Sequence, residues 1–504
     1  MHVFALALVA MQYGKKEARP YEIIPGALVW VSFIIAIVLS IWKPLWAIYV
    51  IIIFDLYWLF RVVYFVIFVT YSWNRYRRSI RISWFEKLKK EKSGWEDIVH
   101  LIFLPMAGEP LEIVDEAFRA LCAAHYPKEK FIVVLAGEGR EEARFRTVAD
   151  EIVKRYGDAF YRLLVTVHPA DVPGEIISKG ANVHYAAREA KRAIDELSLA
   201  YERVVVSTFD IDTIVHPEYF SCLTYTYVSQ PDPTRASYQP IVLYNNNMWD
   251  SPAPMRLAAL STTYWILTEL ARPDRLFTFS SHSMSFRALV DVGFWENDMI
   301  NEDSRIYLQC YMHYNGKYAV VPLYIPVSMD TVAGTSLFES LINLYKQQRR
   351  WAWGVEHFPY LALQFARRPQ IPLHSKIYRL WLQLEGMYTW ATAPIIILIL
   401  GWMPLFFADS AVKTTVLAQN APHILAWLMN FSMVGILVLG LLSFSLLPPR
   451  PERHDPYNLF FMVAQWALLP ITIILFSALP AIDAQTRFML GKYLGSFNVT
   501  RKMR

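Results

Sequence analysis

Residues 203–212, which read RVVVSTFDID, contain the pattern that decides the fold. A short run rich in valine is typical of a buried β-strand, and this run ends in two carboxylates. Side chains alternate across a strand, so Asp210 and Asp212 project to the same side. Two carboxylates on one side can share Mg²⁺ or Mn²⁺ through oxygen ligands, and such a cation bridges a diphosphate. A loop that caps the next helix near Pro217 is the alternative interpretation of the pair.

The segments around this strand predict an α/β domain. They alternate with polar stretches of helical periodicity, such as 111–125 and 141–155. Strands and helices that alternate at this spacing form a largely parallel sheet with helices packed on it. We expect residues 99–334 to form one such domain, which is long enough for a core of its own. Its other short apolar runs lie at 98–104, 131–135 and 162–167.

The composition of the 504-residue chain indicates a membrane protein with a substantial polar part. Apolar residues make up 55% and charged residues 18%, against about 45–50% and 25% in soluble proteins. The net charge of +5 is too small to argue for a nucleic-acid partner. Cys122, Cys222 and Cys310 are far apart and odd in number, which fits a reducing compartment and predicts no metal spacing or disulfide framework.

Two apolar segments near the N-terminus, at 27–42 and 45–71, are predicted to cross the bilayer. Only Lys43-Pro44 separates them, so residues 1–73 should form a transmembrane hairpin. Asp55 and Arg61 lie within the second segment, where charged side chains are costly and therefore functional candidates. The alternative is that each simply pairs with another span.

Residues 74–98 combine many basic residues with interleaved aromatic and aliphatic ones, which predicts a helix lying on an anionic membrane face. The positive-inside rule then assigns this segment and the N-terminus to the cytoplasm. The expected location is the cell (inner or plasma) membrane, with several spans and a cytoplasmic α/β domain.

The C-terminal third is predicted to return to the membrane. Residues 335–386 are amphipathic and predict interfacial helices, whereas residues 387–480 form a transmembrane region and 481–504 a cytoplasmic tail. Three spans after the soluble domain would leave the tail outside. We therefore expect segment 459–479, which contains Pro470, to be re-entrant or to lie on the surface. The other two spans are expected at 388–407 and 424–447.

Two further motifs carry possible chemistry. Glu302 and Asp303 stand together at a predicted helix start, where adjacent carboxylates are more often caps than catalysts. Gln347, Arg350 and Trp351 form a Q-x-x-R-W motif and share one helical face. An arginine there can clamp phosphate and a tryptophan can stack on a sugar, although a helix anchored at lipid headgroups has the same composition.

D-x-D, E-D and Q-x-x-R-W occur in this order between membrane helices, an arrangement that resembles the family 2 glycosyltransferases. The likeness is strongest to the processive branch that includes bacterial cellulose synthase and hyaluronan synthase. It covers residues 99–355 in motifs and nearly the whole chain in architecture. The resemblance implies a GT-A-like domain inserted between transmembrane helices.

Further residues match the family's motifs one by one. The resemblance implies that Pro105, Glu109, Lys179 and Asp210 bind the donor, and that His282 and Glu302 lie beside the acceptor with the Q-x-x-R-W residues. The end of the chain, FNVTRK, resembles the F-x-V-T-x-K gating loop of cellulose synthases. Its matching residues are Phe497, Val499, Thr500 and Lys502.

The chain also departs from the family pattern. Where the family carries D-D-G after its second strand, this sequence has AGEGR at 136–140, so Glu138 is the plausible substitute that binds the base. The E-D motif follows Asn301 rather than threonine. These departures bear on the identity of the donor more than on the reaction.

The resemblance implies an inverting transfer from a nucleotide-diphosphate sugar, with a UDP-sugar as the expected donor. Asp303 would be the general base, and Asp210 and Asp212 would hold Mg²⁺ or Mn²⁺. The first expectation is processive synthesis of a polysaccharide with export, with or without a partner protein. The alternatives are a single transfer to a lipid-linked acceptor, a catalytically inactive membrane scaffold and a transporter.

Overall fold

The computed structural model describes residues 15–452 and 458–494. It begins with two long helices, α1 (Lys15–Trp42) and α2 (Pro44–Ser79), followed by the short helix α3 (Trp84–Glu91). Pro44 opens α2, a position where proline is tolerated because the first turn needs no backbone N–H donor. Helical hydrogen bonding continues through the basic residues to Ser79, so the predicted boundary at 73/74 falls inside α2.

An eight-stranded mixed sheet forms the centre of the domain, in the order β3-β2-β1-β4-β7-β6-β8-β5. The four strands β3, β2, β1 and β4 are parallel, as are β6 and β8, whereas β7 is antiparallel to both of its neighbours. The predicted mixed, largely parallel α/β domain is therefore confirmed. The strands are β1 (Val99–Pro105), β2 (Phe131–Glu138), β3 (Arg162–His168), β4 (Val204–Thr208), β5 (Ile214–Val215), β6 (Ala236–Tyr244), β7 (Ser283–Ser285) and β8 (Ala319–Met329).

Helices cover both faces of this sheet, which explains why its central strands are apolar throughout. Every residue of β1 and of β4 is buried, a pattern typical of parallel strands with helices on either side. The helices of the domain and its edge are α4 (Leu111–Ala123), α5 (Glu142–Tyr156), α6 (Lys179–Glu196), α7 (Tyr219–Ser229), α8 (Ala253–Leu270), α9 (Phe286–Asp291), α10 (Glu302–His313), α11 (Leu337–Ala352) and α12 (His357–Ala366).

The register brings the ends of four parallel strands to one edge of the sheet. Pro105 is paired with Ala136, and Glu138 with His168. Phe103, near the end of β1, is paired with Thr208, the last residue of β4. Ligands of open α/β sheets bind beyond the carboxyl ends of the strands, and this edge is the place where the predicted site residues meet.

The C-terminal part is helical. A π-helical turn, Ile474–Ala478, and short 3₁₀ turns join the last three helices into one almost continuous run. The helices are α13 (Leu373–Leu398), α14 (Met403–Phe407), α15 (Ser410–Lys413), α16 (Val416–Leu446), α17 (Asn458–Ala464), α18 (Leu469–Ile473) and α19 (Leu479–Met489).

Four helical segments in the described chain are long and apolar enough to cross a membrane: 17–42, 44–79, 416–446 and 460–489. They identify a membrane protein by length and composition. A fifth candidate is the pair α13 and α14, which is bent by 44°. The sequence predicted a re-entrant or surface course for 459–479. In the structure the sharply bent element is instead 373–407. The gating-like residues 497–502 lie outside the described residues.

Close packing joins the N-terminal and C-terminal spans. A Cβ atom added to Gly435 of α16 would come within 2.6 Å of Val62 of α2, so glycine permits the approach of these two helices. Arg61, the residue before Val62 in α2, forms an ion pair with Glu385 of α13 at 3.2 Å. Arg61 therefore pairs with another apolar helix, which was the alternative interpretation of its charge.

Candidate active site

Lys179 stands at the centre of the site, in the first turn of α6. Ser178 caps this helix by accepting a hydrogen bond from the backbone of Ala181. The ammonium group lies 2.7 Å from Asp210 and 3.1 Å from Asp303, and 3.8 Å from Glu302. Burial by itself would lower the pKa of Lys179, but these three carboxylates raise it above its usual value. The lysine therefore stays charged and holds the three carboxylates together.

Asp210 and Asp212 follow β4 as predicted, and both line the same cavity. The side chain of Asp210 is partly exposed, whereas Asp212 is fully buried. The Oδ2 atom of Asp212 accepts a hydrogen bond of 2.8 Å from the backbone N–H of Asp330, and Asn246 donates to the backbone oxygen of Asp212. These contacts hold the D-x-D loop against the end of β8.

Glu302 and Asp303 form the first turn of α10. The side chain of Asp303 faces the cavity with 21% of its surface exposed, while that of Glu302 is buried. Burial and the adjacent Asp303 raise the pKa of Glu302. Thr278 donates a 2.6 Å hydrogen bond to the backbone oxygen of Asp303, which fixes the start of the helix.

The Q-x-x-R-W motif lies on α11, and its three residues line the cavity together with Asp303. Arg350 is half-buried. Desolvation lowers its pKa, and the negative charges of Asp210, Glu302 and Asp303 act in the opposite direction. The ring of Trp351 lies 6.0 Å from that of Tyr244, centroid to centroid. The predicted common face is therefore directed at the carboxylate cluster.

Pro105, Glu109 and Glu138, which the sequence predicted to bind the donor, line the cavity beyond the ends of β1 and β2. Glu109 accepts a 2.7 Å hydrogen bond from the backbone of Ala107, which orders the loop after β1. Glu138, the last residue of β2, lies 3.3 Å from His168 in the neighbouring strand.

His168 was not among the predicted site residues. Glu175 contacts its second ring nitrogen at 2.7 Å, so the imidazole lies between two carboxylates. Burial lowers the pKa of His168, but the hydrogen bonds and charges of Glu138 and Glu175 outweigh it and raise the pKa above its usual value. His168 is the last residue of β3 and is paired with Glu138 of β2. This position would have marked it as a site residue only if the strand register had been known.

Four other residues at the site were missed by sequence reasoning: Tyr244, Asn246, Thr278 and Asp330. Tyr244 is the last residue of β6 and Asn246 follows it, within the stretch YNNN at 244–247. A strand that ends in such a polar run could have been recognised in the same way as D-x-D. Thr278 and Asp330 lack a comparable local signal.

His282 does not line the cavity. It is fully buried, and its Nδ1 atom lies 3.0 Å from the carbonyl oxygen of Phe279 and 3.9 Å from Asp303. The sequence predicted that His282 contacts the acceptor. In the structure its ring lies behind Asp303 instead of facing the cavity. Burial lowers the pKa of His282 and favours its neutral form.

One continuous cavity of about 1720 Å³ joins these residues to the membrane helices. At one end it is lined by Glu138, Asp210 and Asp303, and at the other by Ile397 and Phe444.

The carboxylates of the site fit a hard divalent cation. Mg²⁺ commonly takes one or two protein carboxylates and completes its shell with water and substrate phosphate oxygens. Asp210 and Asp212 offer such a pair at the cavity wall. No group of three or more His, Cys, Asp or Glu side chains arranged for a metal occurs among residues 15–452 and 458–494.

Comparison with solved structures finds distant matches at low sequence identity. The mannosyltransferase PcManGT from Pyrobaculum calidifontis, solved with GDP-Man and Mn²⁺, is 13% identical with a TM-score of 0.41, covering 74% of this chain and 99% of its own. S. aureus TarS 1-349 is 13% identical with a TM-score of 0.37, covering 71% of this chain and 94% of its own.

The sequence comparison is more specific. A search of curated proteins finds no match. The model of the glycosyl transferase family group 2 matches residues 205–476, which is more than half of the chain and includes the D-x-D, E-D and Q-x-x-R-W motifs. The protein therefore belongs to glycosyl transferase family group 2.

Proposed function

We propose that the protein transfers a hexosyl group from a nucleotide-diphosphate sugar to an acceptor hydroxyl, with inversion at the anomeric carbon. The observation that carries this proposal is the cluster in which Lys179 joins Asp210 at 2.7 Å and Asp303 at 3.1 Å. Asp210 is suited to the diphosphate side and Asp303 to act as a base. Lys179 bonds to both, and both line one cavity.

Asp303 takes the proton of the acceptor hydroxyl while the acceptor oxygen attacks the anomeric carbon. The new bond joins these two atoms, and the bond from the anomeric carbon to the terminal phosphate oxygen of the donor breaks. The nucleoside diphosphate leaves from the opposite face, so one in-line displacement inverts the configuration. A positioned base contributes about 10²- to 10⁴-fold to such a step, and correct alignment contributes more.

Positive charge for the departing diphosphate comes from Lys179 and Arg350, which both lie in the buried part of the site. Charges held in a site of low dielectric stabilise a developing anion more strongly than charges in water. Asp210 and Asp212 would hold Mg²⁺ or Mn²⁺, and the cation, when bound, supplies further charge against the diphosphate.

The remaining residues recognise donor and acceptor. Pro105, Glu109 and Glu138 surround the end of the cavity beyond β1 and β2, where we propose that the nucleotide of a UDP-sugar binds. On the acceptor side, Trp351 provides a stacking surface for a sugar ring. Gln347 and Glu302 offer polar contacts beside it, and His282 supports Asp303 from behind.

The family resemblance favours a growing polysaccharide as acceptor, made processively at the cytoplasmic face of the cell membrane and exported, with or without a partner protein. The gating residues 497–502 belong to this proposal. For Thr500 to face the catalytic side, as this proposal requires, an even number of spans must follow the domain, and the segments 416–446 and 460–489 supply two when the bent pair α13 and α14 is not counted as a span.

The second candidate is transfer of one sugar to a lipid-linked acceptor. The specific observation in its favour is the apolar lining of the cavity where it passes between the membrane helices. The inactive scaffold is disfavoured by the intact cluster around Lys179, and the transporter by the large α/β domain.

The test is incubation of purified protein in lipid nanodiscs with radiolabelled UDP- and GDP-sugars and Mg²⁺ or Mn²⁺, followed by sizing of the product. A glycosidase-sensitive polymer supports processive synthesis, and a small lipid-extractable product supports the second candidate. Absence of turnover with every donor contradicts the proposed function. Asp303→Asn provides the inactive control.

A further inference from the structure

A second cluster of charged side chains borders the same cavity, between the catalytic domain and the membrane helices. Arg61 of α2 and Arg272 and Arg275, which follow α8, all line the cavity. Arg272 donates hydrogen bonds to the hydroxyl of Tyr64 and to Glu269. Arg275 donates to Glu269 at 3.1 Å, and Arg61 pairs with Glu385 at 3.2 Å.

The cluster carries an excess of positive charge. Its three guanidinium groups form ion pairs with two carboxylates, Glu269 and Glu385, so the arginines outnumber their carboxylate partners. Arg61 keeps 30% of its side-chain surface exposed and Arg275 keeps 18%, so both present donors to the cavity. Ionisable side chains in a span are costly and usually serve a ligand or a partner. Arginine forks match phosphate oxygens in geometry and charge.

This cluster lies close to the catalytic carboxylate. Arg275 precedes Thr278 by three residues, and the hydroxyl of Thr278 bonds to the backbone oxygen of Asp303 at 2.6 Å. Three residues span at most about 11 Å even when fully extended. A ligand whose phosphate binds Arg275 could therefore place an attached sugar at Asp303.

Beyond the arginines, the cavity is lined mainly by apolar side chains of the spans and opens sideways. Leu437 and Leu441 of α16 are 62% and 63% exposed, and they line the cavity with Phe444, Ile473 and Phe476. The hydroxyl groups of a polysaccharide in this part would lose hydrogen bonds to water against an apolar wall. Each hydroxyl left without a partner would cost free energy. A hydrocarbon chain gains free energy from the same wall.

We propose that the acceptor is a lipid carrying a saccharide through a phosphate or diphosphate group, with its phosphate at Arg61, Arg272 and Arg275. This inference rests on the proposed function and names its acceptor. The hydrocarbon chain lies between the membrane helices, and a sugar hydroxyl reaches Asp303. Asp303 takes the proton of that hydroxyl, the new glycosidic bond forms, the nucleoside diphosphate leaves, and the lipid phosphate is unchanged.

The first experiment measures binding of radiolabelled farnesyl phosphate and of farnesol to the full-length protein in detergent. Farnesyl phosphate should bind about 10- to 100-fold more tightly, as expected for charged hydrogen bonds to a phosphate. Arg61→Gln and Arg275→Gln should remove most of this preference, and Arg275→Lys should restore part of it. Arg287→Gln, at an exposed ion pair on the catalytic domain, is the matched control. Equal binding of the two probes overturns the inference, as does an unchanged preference in both Gln variants.

The second experiment extracts the labelled product of the donor panel with chloroform and methanol. Label that enters the organic phase and is released by mild acid supports a phosphate-linked lipid acceptor. A polymer that carries no lipid overturns the inference while leaving the proposed glycosyl transfer intact. If every donor fails, the proposed function is contradicted, and the farnesyl phosphate titration alone decides whether the arginine cluster binds a lipid phosphate.

Discussion

Replacement of Asp303 by asparagine tests the central assignment of this site. The side chain is 21% exposed and faces the cavity, so the isosteric amide should disturb neither the start of α10 nor the hydrogen bond from Thr278 to the backbone. Its amide oxygen can still accept from Lys179. The change removes the group that takes the acceptor proton and little else.

The expected loss follows from the role assigned to the carboxylate. A positioned general base contributes about 10²- to 10⁴-fold, which corresponds to about 2.7 to 5.4 kcal/mol of the activation free energy. Nucleotide affinity should stay within a few-fold of wild type. The substitution removes a negative charge beside the donor diphosphate but leaves the positive groups that bind the diphosphate in place.

The assay measures initial rates of sugar transfer and, separately, nucleotide binding by calorimetry. Asp291→Asn is a closely matched control, since Asp291 is also 21% exposed and ion-paired, with Arg287, at a position that does not line the cavity. It should transfer at the wild-type rate. A kcat for Asp303→Asn within tenfold of wild type would refute the assignment of the base.

Three other predictions concern the same site. Lys179→Met should lower transfer and nucleotide affinity by about 100-fold, because it removes the cation that contacts three carboxylates of the site. Initial rates and calorimetry check this, with Lys191→Met, which does not line the cavity, as control. The folded-state pKa of His168 is raised, so its contribution to stability is fully present below the unfolded pKa of about 6.5 and is lost as the pH rises through the folded value. The destabilisation caused by His168→Gln should therefore be larger in thermal unfolding at pH 6 than at pH 9, and equal effects would contradict the ion-pair arrangement. Chelation by EDTA should abolish transfer, and added Mg²⁺ or Mn²⁺ should restore it. Asp212→Asn should raise the metal concentration that transfer needs. Full activity in EDTA would exclude the metal role of Asp210 and Asp212.

The topology of the C-terminal region depends on the bend between α13 and α14. The sequence directed attention to Pro470, but proline near the start of a helical segment is tolerated, and α18 begins at Leu469. The 44° bend instead occurs where the helix breaks after Leu398, around a short 3₁₀ turn at Leu400–Trp402. Accessibility labelling of single cysteines on either side of this bend distinguishes a broken span from a re-entrant element.

The sequence by itself determined those features that depend on local periodicity. Valine-rich runs predicted strands, so Asp210 and Asp212 could be assigned to a strand end, and the spacing of Gln347, Arg350 and Trp351 predicted their common helical face. These predictions succeed because side-chain direction repeats every two residues in a strand and every 3.6 in a helix. The family motifs in this order were recognisable for the same local reason.

Only the tertiary structure decided which of these residues meet. Lys179 contacts Asp210 and Asp303, which are 31 and 124 residues away in the chain, and no local pattern encodes either distance. The same holds for the burial of His282 behind Asp303 and for the ion pair between Arg61 and Glu385. Strand register and helix packing set these contacts, and they are long-range consequences of burying one core and one set of spans.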